Sequence, residues 1–406
     1  MRKRIQLPLW QAGCSPLCFP CRSSIRPQES SRKEAGTLTP EQSIEYLRLH
    51  LATLYNAGLA LRLLESFGST AKILQADTGR LLKVRGMSPS IARRLHCDKT
   101  KTRASEEWRR CRSAGITLLP TPLASCPSAL GGLPDMPLML FALGKIEPED
   151  STSVGIVGSR KPTPYSLRQT TRFSGELAQM GATIVSGLAR GIDACAHRAA
   201  IDSGGRTMAI LGSGLQRIYP AENKVLARRI LRESSGTLLS EFPCSMPPRT
   251  YHFPQRNRLI SALSRILLVI QAGRKSGSLI TARWALEQGR DVFVLPSRVD
   301  EEHNQGGLDL LRDGASVATC PDDLLYAAGI TRKRQAGKKT QKELSRPFPG
   351  LLGAQLEALF KQEDGWHPDA LAGHLAVPSG QLLAALGQLE MEGFILKTPA
   401  GFYRLK

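Results

Sequence analysis

The sequence predicts an α/β protein: a Rossmann-like, mostly parallel sheet with helices on both faces, preceded by a small helical domain and followed by a winged helix. Three observations carry this. Six near-continuous apolar runs, "SVGIVG", "ATIVSG", "RTMAILG", "GTLLSE", "RILLVI" and "DVFVLP", are each followed by a loop and a helical stretch. Strands buried on both faces read as such unbroken runs, and amphipathic helices between them imply a doubly wound sheet. Ahead of them lies a group of short helical patterns, and the tail reads helix, helix, helix, hairpin.

In chain order, residues 1–38 read as a disordered basic arm. The start, "MRKRIQLPLWQAGC", is basic, but Gln6 and Pro8 break its apolar stretch, so it makes a poor signal peptide. Cys14, Cys18 and Cys21 have the CxxxCxxC spacing of radical-enzyme iron–sulfur sites. They lie in a Pro-, Ser- and Arg-rich arm without a preceding strand, and coincidence is the better reading. Residues 39–104 read as a small helical domain of SAM or helix–hairpin–helix type. Thr39 is the expected N-cap, with Pro40 at the first helical position and Gln42 three past the cap. "LLKVRGMSPSIARRL" resembles the turn and second helix of a helix–hairpin–helix, which offers amides to a phosphate, although a plain bundle fits equally.

Residues 105–330 form the expected Rossmann-like domain. "PLMLFALGK" reads as its edge strand. Leu167, Phe173, Leu177 and Met180 mark one covering helix, and Leu226 and Ile230 another. Residues 331–349 form a basic linker ending in prolines. In residues 350–406, Leu352, Leu356 and Leu359 mark the first helix of the winged helix, and Leu382, Leu386 and Leu389 the third.

The 406 residues carry a formal charge of +20, which favours a polyanionic partner, nucleic acid before a membrane surface. No stretch approaches the roughly 18 to 20 apolar residues of a membrane span, and the nine scattered cysteines read as reduced thiols, so the expected location is cytoplasmic.

Ligands of doubly wound sheets sit at the carboxyl ends of the strands. The runs are followed there by "GSRKP", "GLARGID", "GSGLQRIYP", "FPCSMPPRTYHFPQRNR" and "QAGRKSGSLITA". Glycine lets amides approach an anion, and arginine adds a planar fork for phosphate oxygens. "GSGLQR" lacks the third glycine of the dinucleotide fingerprint, and "GRKSGSLIT" is not a nucleotide P-loop. No cofactor or metal is expected. In "YHFPQRNR", read as a loop, the flat Tyr251, His252 and Phe253 beside Arg256 and Arg258 suit stacked bases and phosphates of a single strand. In "SGLARGIDACAH", Arg190, Asp193 and His197 are open to three readings: a catalytic set, a phosphate clamp or a capped helix.

Taken together, "VGSR", "SGLARGIDACAH", "YPAEN", "LLSEFP", "FPQRNRLISALS", "SGSLITARWALEQGR" and "LLRDGA" resemble, in order and spacing, the DNA-processing protein A (Smf) family over about residues 138 to 320. The resemblance implies a non-catalytic binder of single-stranded DNA that shields incoming DNA in natural transformation and helps load the RecA recombinase; a homodimer is expected. It carries DNA contacts to Gly158, Ser159 and Arg160; to Gly187, Arg190 and Gly191; to Phe253, Arg256, Asn257 and Arg258; and to Ser276, Gly277, Ser278 and Thr281. Gly187 and Gly191 would open their loop to phosphate with Arg190 near it. Asp193 would cap the next helix or orient an arginine, and His197 would be a packing residue. The chain departs from the family at Ser166, Gln216, Gln271 and Leu308.

Two rivals stand against this. "SGSLITARWALEQGR" loosely resembles the signature of nucleoside monophosphate phosphoribohydrolases, but Glu287 falls too far along the helix. A winged-helix transcription regulator would need basic residues on its third helix, and "PSGQLLAALGQLEMEG" has none.

Overall fold

The computed structural model describes residues 38–121, 130, 136–234, 236–328, 352–362, 366–375, 377–392, 394–397 and 403–405. The expected arm apart from Leu38, the linker, and Cys14, Cys18 and Cys21 lie outside the described residues. The chain divides into two compact units, Met1–Arg332 and Lys333–Lys406.

The first unit begins with six helices: α1 (Pro40–Ala52), α2 (Ala57–Phe67), α3 (Thr70–Gln75), α4 (Thr78–Leu82), α5 (Pro89–His96) and α6 (Asp98–Ser113). α1 opens on a full capping box: Gln42 N donates to Thr39 Oγ1 at 3.3 Å, and Thr39 N donates to Gln42 Oε1 at 3.0 Å. Such a box satisfies two otherwise orphaned amides. Asn56, Ser69, Asp77 and Ser88 cap the next four helices in the same way, each accepting one first-turn amide. Leu49, Leu59, Leu63, Ile73, Leu81 and Leu95 fill the space between these helices. A second set, Leu47, Leu51, Ala104 and Cys111, packs with Phe141, Leu226 and Ile230 of the sheet domain.

The boundary drawn at residues 104 and 105 therefore falls inside α6. Its buried positions, Thr100, Ala104, Glu107 and Cys111, keep helical spacing but are small or polar, so α6 shows no apolar stripe in sequence.

The sheet has nine strands: β1 (Thr117–Pro120), β2 (Met139–Leu143), β3 (Ser153–Val157), β4 (Thr183–Ser186), β5 (Thr207–Leu211), β6 (Thr237–Ser240), β7 (Ile266–Val269), β8 (Asp291–Val294) and β9 (Ser316–Val317), in the order β1-β2-β6-β5-β4-β3-β7-β8-β9. β2 runs antiparallel to both β1 and β6, and the remaining pairs are parallel. "PLMLFALGK" is thus not the edge: β1 pairs outside it, with Thr117 opposite Ala142. Proline stands at the end of β1, the edge position where a missing donor costs nothing.

Seven helices follow the strands: α7 (Pro164–Gln179), α8 (Ile192–Asp202), α9 (Lys224–Glu233), α10 (His252–Ala262), α11 (Gly277–Glu287), α12 (Gln305–Arg312) and α13 (Pro321–Ala328). Val154, Ile156, Ile184, Ile266 and Leu268 pack against α7, α8 and α13 on one face. Val157, Val185, Leu267 and Val269 pack against α10 and α11 on the other. β3 and β7 are neighbours whose connections lead to opposite flanks of the sheet. That is a topological switch point, where the loops diverge and leave a crevice.

The second unit holds α14 (Gly353–Gln362), α15 (Pro368–Leu375), α16 (Ser379–Met391) and the antiparallel pair β10 (Ile395–Lys397) and β11 (Tyr403–Leu405). Leu356, Phe360, Trp366, Leu371, Leu382, Leu386 and Leu389 form its core. This is the expected winged helix. Among the described residues no single helix is long and apolar enough to cross a membrane.

Candidate nucleic-acid interface

The crevice at the switch point is a cavity of about 980 Å³. Gly158, Ser159 and Arg160 reach it from the turn after β3, Phe253, Arg256 and Asn257 from α10, and Ser276, Gly277, Ser278 and Thr281 from the start of α11. Ten of the fourteen expected contacts therefore share one cavity. Gly187, Arg190, Gly191 and Arg258 are not among its lining residues.

The segment "YHFPQRNR" is mostly helix, not loop. α10 starts at His252, so Phe253, Arg256 and Asn257 stand at i, i+3 and i+4 and share a face. Arg258, at i+5, turns away and forms a buried ion pair with Glu241. His252 is also buried, stacked on Phe242 with ring centroids 3.9 Å apart. Phe253 is half-buried and Tyr251 exposed.

Arg256 forms the floor. Its Nη1 donates to the Gly187 carbonyl at 2.6 Å and also to the Ile210 carbonyl, and its Nε donates to Asn257 Oδ1 at 3.3 Å. Burial pulls its pKa down to about 10, opposed by the Asp193 carboxylate and assisted by Arg160, so it remains a cation at neutral pH. Asp193 Oδ2 accepts from Gly187 N at 3.1 Å and from Ala189 N at 3.4 Å. Burial raises the Asp193 pKa, while Arg256 and the two amides hold it down. Asp193 thus ties the turn ahead of α8 and faces Arg256; the N-cap of α8 is Gly191, which has no side chain to cap with.

The two glycines make room for protein rather than for a phosphate. A Cβ at Gly187 would lie 2.7 Å from the Arg256 guanidinium. Gly191 has φ +75°, and a Cβ there would lie 2.3 Å from the Ser159 carbonyl. Arg190 is exposed and forked onto Glu222, with Nε and Nη2 donating at 2.6 and 2.9 Å. His197 is fully buried in α8, its Nδ1 2.7 Å from Thr207 Oγ1. Burial pushes its pKa down to about 3, so it is a neutral packing residue.

Exposed cations stand around the floor, with Glu302 and His303 also on the wall. Arg160 is exposed, with its guanidinium 5.8 Å from the Phe253 ring centroid. The Tyr219 ring centroid lies 5.5 Å from that of Phe253, and Tyr219 is 42% exposed. Lys161 and Lys275 complete the cationic wall. Residue type alone does not single out Tyr219, Lys161 and Lys275, although Lys161 and Lys275 adjoin expected residues and Tyr219 opens "YPAEN".

Asn257 Nδ2 donates to the Gly277 carbonyl at 3.2 Å and fixes α10 to the start of α11. Ser276 caps α11, accepting Ser278 N at 3.3 Å. The positive end of the α11 dipole therefore opens on the cavity. Gln271, one of the departures, is buried and accepts Thr163 N at 3.0 Å, joining the turns after β7 and β3.

Glu287, the acid of the hydrolase comparison, ends α11, ten residues from Gly277. That is about 15 Å at the helical rise, and Glu287 does not line the cavity. Among the described residues one buried group, Glu107, Cys111 and Cys244, has donors close enough for a metal. Glu107 already accepts Cys244 N and Arg110 Nη1, the thiols lie 3.1 Å apart, and none of the three lines the cavity.

The fold and the crevice define a doubly wound α/β protein with a cation-walled switch-point cavity and a separate winged helix. The chain belongs to the DNA recombination-mediator protein A family, whose model matches residues 121–329, and a DprA winged helix domain matches residues 354–401. It is similar to Protein Smf of Escherichia coli (strain K12), at 38% identity over 71% of this chain and 77% of that one. DNA processing protein DprA of Bacillus subtilis (strain 168) is 40% identical over 52% of this chain and 71% of its own. The X-ray structure of DNA processing protein A from Streptococcus pneumoniae matches with TM-score 0.62 and 31% identity, over 72% of this chain and 98% of that one.

Proposed function

We propose that this chain binds single-stranded DNA in the switch-point cavity and, as a cytoplasmic homodimer without catalytic activity, shields incoming DNA in natural transformation and helps load RecA. The observation that carries the binding is the Arg160–Phe253–Tyr219 arrangement above the buried Arg256. An exposed cation stands there beside two aromatic rings, a combination that pairs with phosphates and stacks on bases without reading sequence. Membership of a DNA-processing family supports the class of ligand. Transformation, RecA and the homodimer are carried by the family resemblance. α16 contains no Lys or Arg, which favours a protein contact for the winged helix over groove binding.

The test is a titration of a labelled single strand against salt, with the matching duplex as competitor. Preferential, salt-sensitive single-strand binding is expected, and equal or stronger duplex binding would overturn the reading. RecA nucleation on the same strand should quicken when the protein is added; an unchanged nucleation rate would remove the loading role.

A further inference from the structure

The helical layer ahead of the sheet has its own concentration of positive charge. Residues 38–113 hold fourteen Lys and Arg against seven Asp and Glu. Four of these cations, Arg62, Arg80, Lys83 and Arg85, surround a cleft of about 460 Å³ formed by the end of α2, by α4 and by the turn leading to α5. Glu65 and Phe67 also stand on its wall. Among the described residues no carboxylate forms an ion pair with any of the four cations.

Two of the four are held in place. Arg62 Nε donates to the Arg85 carbonyl at 2.9 Å, which fixes the guanidinium against the turn. The Arg80 guanidinium lies 5.5 Å from the Phe67 ring centroid, a cation on an aromatic face as at Arg160 and Phe253. Lys83 and Arg85 extend from the turn and are exposed. Four cations against the single carboxylate of Glu65 leave the cleft with net positive charge, and a polyanion relieves the repulsion among them. None of the four is buried, so the cleft is not built as a closed cradle for one small anion. Several exposed or half-buried cations beside a ring suit a chain of phosphates, each contact weak and additive. The turn is the one whose sequence resembles a helix–hairpin–helix. At the start of α5 Ser88 takes the Ile91 amide, while the cleft itself is lined by the four cationic side chains.

We propose that this cleft is a second nucleic-acid site, which binds the phosphodiester backbone independently of the switch-point cavity. Its role in lengthening the grip on one strand rests on the function proposed above; its own affinity does not. The test uses the full chain in three forms: unaltered, Arg80→Ala with Lys83→Ala, and Arg160→Ala. Each is titrated with a long single strand and with the matching duplex across a salt series.

The double variant should bind one or both ligands about threefold to tenfold more weakly at low salt, with a salt slope lower by about 1.4 for the single strand or about 1.8 for the duplex, the share of two phosphate contacts. Which ligand weakens tells whether the backbone belongs to a single strand or a duplex. Unchanged affinity and slope for both, in a variant with the unaltered circular dichroism and melting temperature, would overturn the site. If the double variant does not fold, Lys83→Glu on the exposed turn supplies the same readout. Loss in the double variant but not in Arg160→Ala would retain this cleft and exclude the phosphate contact of Arg160.

Discussion

Arg256 and Asp193 are joined through the backbone of one residue: Gly187 gives its carbonyl to Arg256 at 2.6 Å and its amide to Asp193 at 3.1 Å. A buried guanidinium and a buried carboxyl group thereby brace the turn after β4 from opposite sides. Their hydrogen bonds meet part of the desolvation cost that burial imposes on each charge.

Substitutions at this brace should act on stability first. Gly187→Ala would place a Cβ 2.7 Å from the Arg256 guanidinium. Overpacking of that kind costs about 1 to 3 kcal/mol. Arg256→Met leaves the buried Gly187 and Ile210 carbonyls without their donor, at a cost of about 1 to 3 kcal/mol. Urea unfolding measures both; unaltered midpoints would show that the brace does not support the fold.

Arg160 and Phe253 should act on binding instead. Arg160→Ala removes one exposed cation and should lower the single-strand salt slope by about 0.7. Phe253→Ala should cost about 1 to 3 kcal/mol of single-strand affinity. A folded Phe253→Ala with full affinity would exclude base stacking there, and a folded Arg160→Ala with an unchanged slope would exclude its phosphate contact.

Acid should destabilise the fold through two histidines. Burial depresses His50 from 6.5 to about 4 and His197 from 6.5 to about 3. A depressed folded pKa gives stability that is complete above the unfolded value and lost as pH falls towards the folded one. Each histidine should therefore remove about 1.4 kcal/mol per pH unit below the unfolded pKa. Buried Asp193 and Glu241 are raised by burial and act in the opposite direction as they take up protons. Comparison with His197→Gln isolates the histidine. The variant should show the shallower loss of unfolding free energy between about pH 6.5 and pH 5, and identical slopes would contradict the assignment.

Fragments should report the shared core of the first unit. A piece ending at residue 332 and starting at residue 38 keeps α1 and α6 on the sheet and should bind single strands unaided. A piece starting at residue 105 cuts α6 and strips Leu47 and Leu51 from Phe141 and Ile230, and should be recovered mostly as aggregate. Monomeric, cooperatively melting protein from that shorter piece would refute the shared core.

Three features of the structure lie beyond what the local sequence pattern carries, each for its own physical reason. The segment after β6 reads as a loop because Pro254, Gln255 and Asn257 obscure the helical period, so Arg256 and Arg258 look equivalent. Once α10 is a helix, Arg256 faces the cavity and Arg258 faces Glu241. The glycines of "SGLARGID" show in sequence that something comes close, but not that the near neighbours are Arg256 and the Ser159 carbonyl. α6 is not legible as one helix because its buried face carries Thr, Ala, Glu and Cys instead of Leu.

The sequence by itself determined the class of fold, the winged helix and the edge of the sheet on which the chemistry collects. Apolar period and loop composition are local properties, and the strand-end rule converts them into a site. Only the tertiary structure decided which arginines reach that site. Whether a guanidinium meets solvent, a backbone carbonyl or a carboxylate depends on residues brought together from far along the chain: Gly187 for Arg256, Glu241 for Arg258, and Glu222 for Arg190.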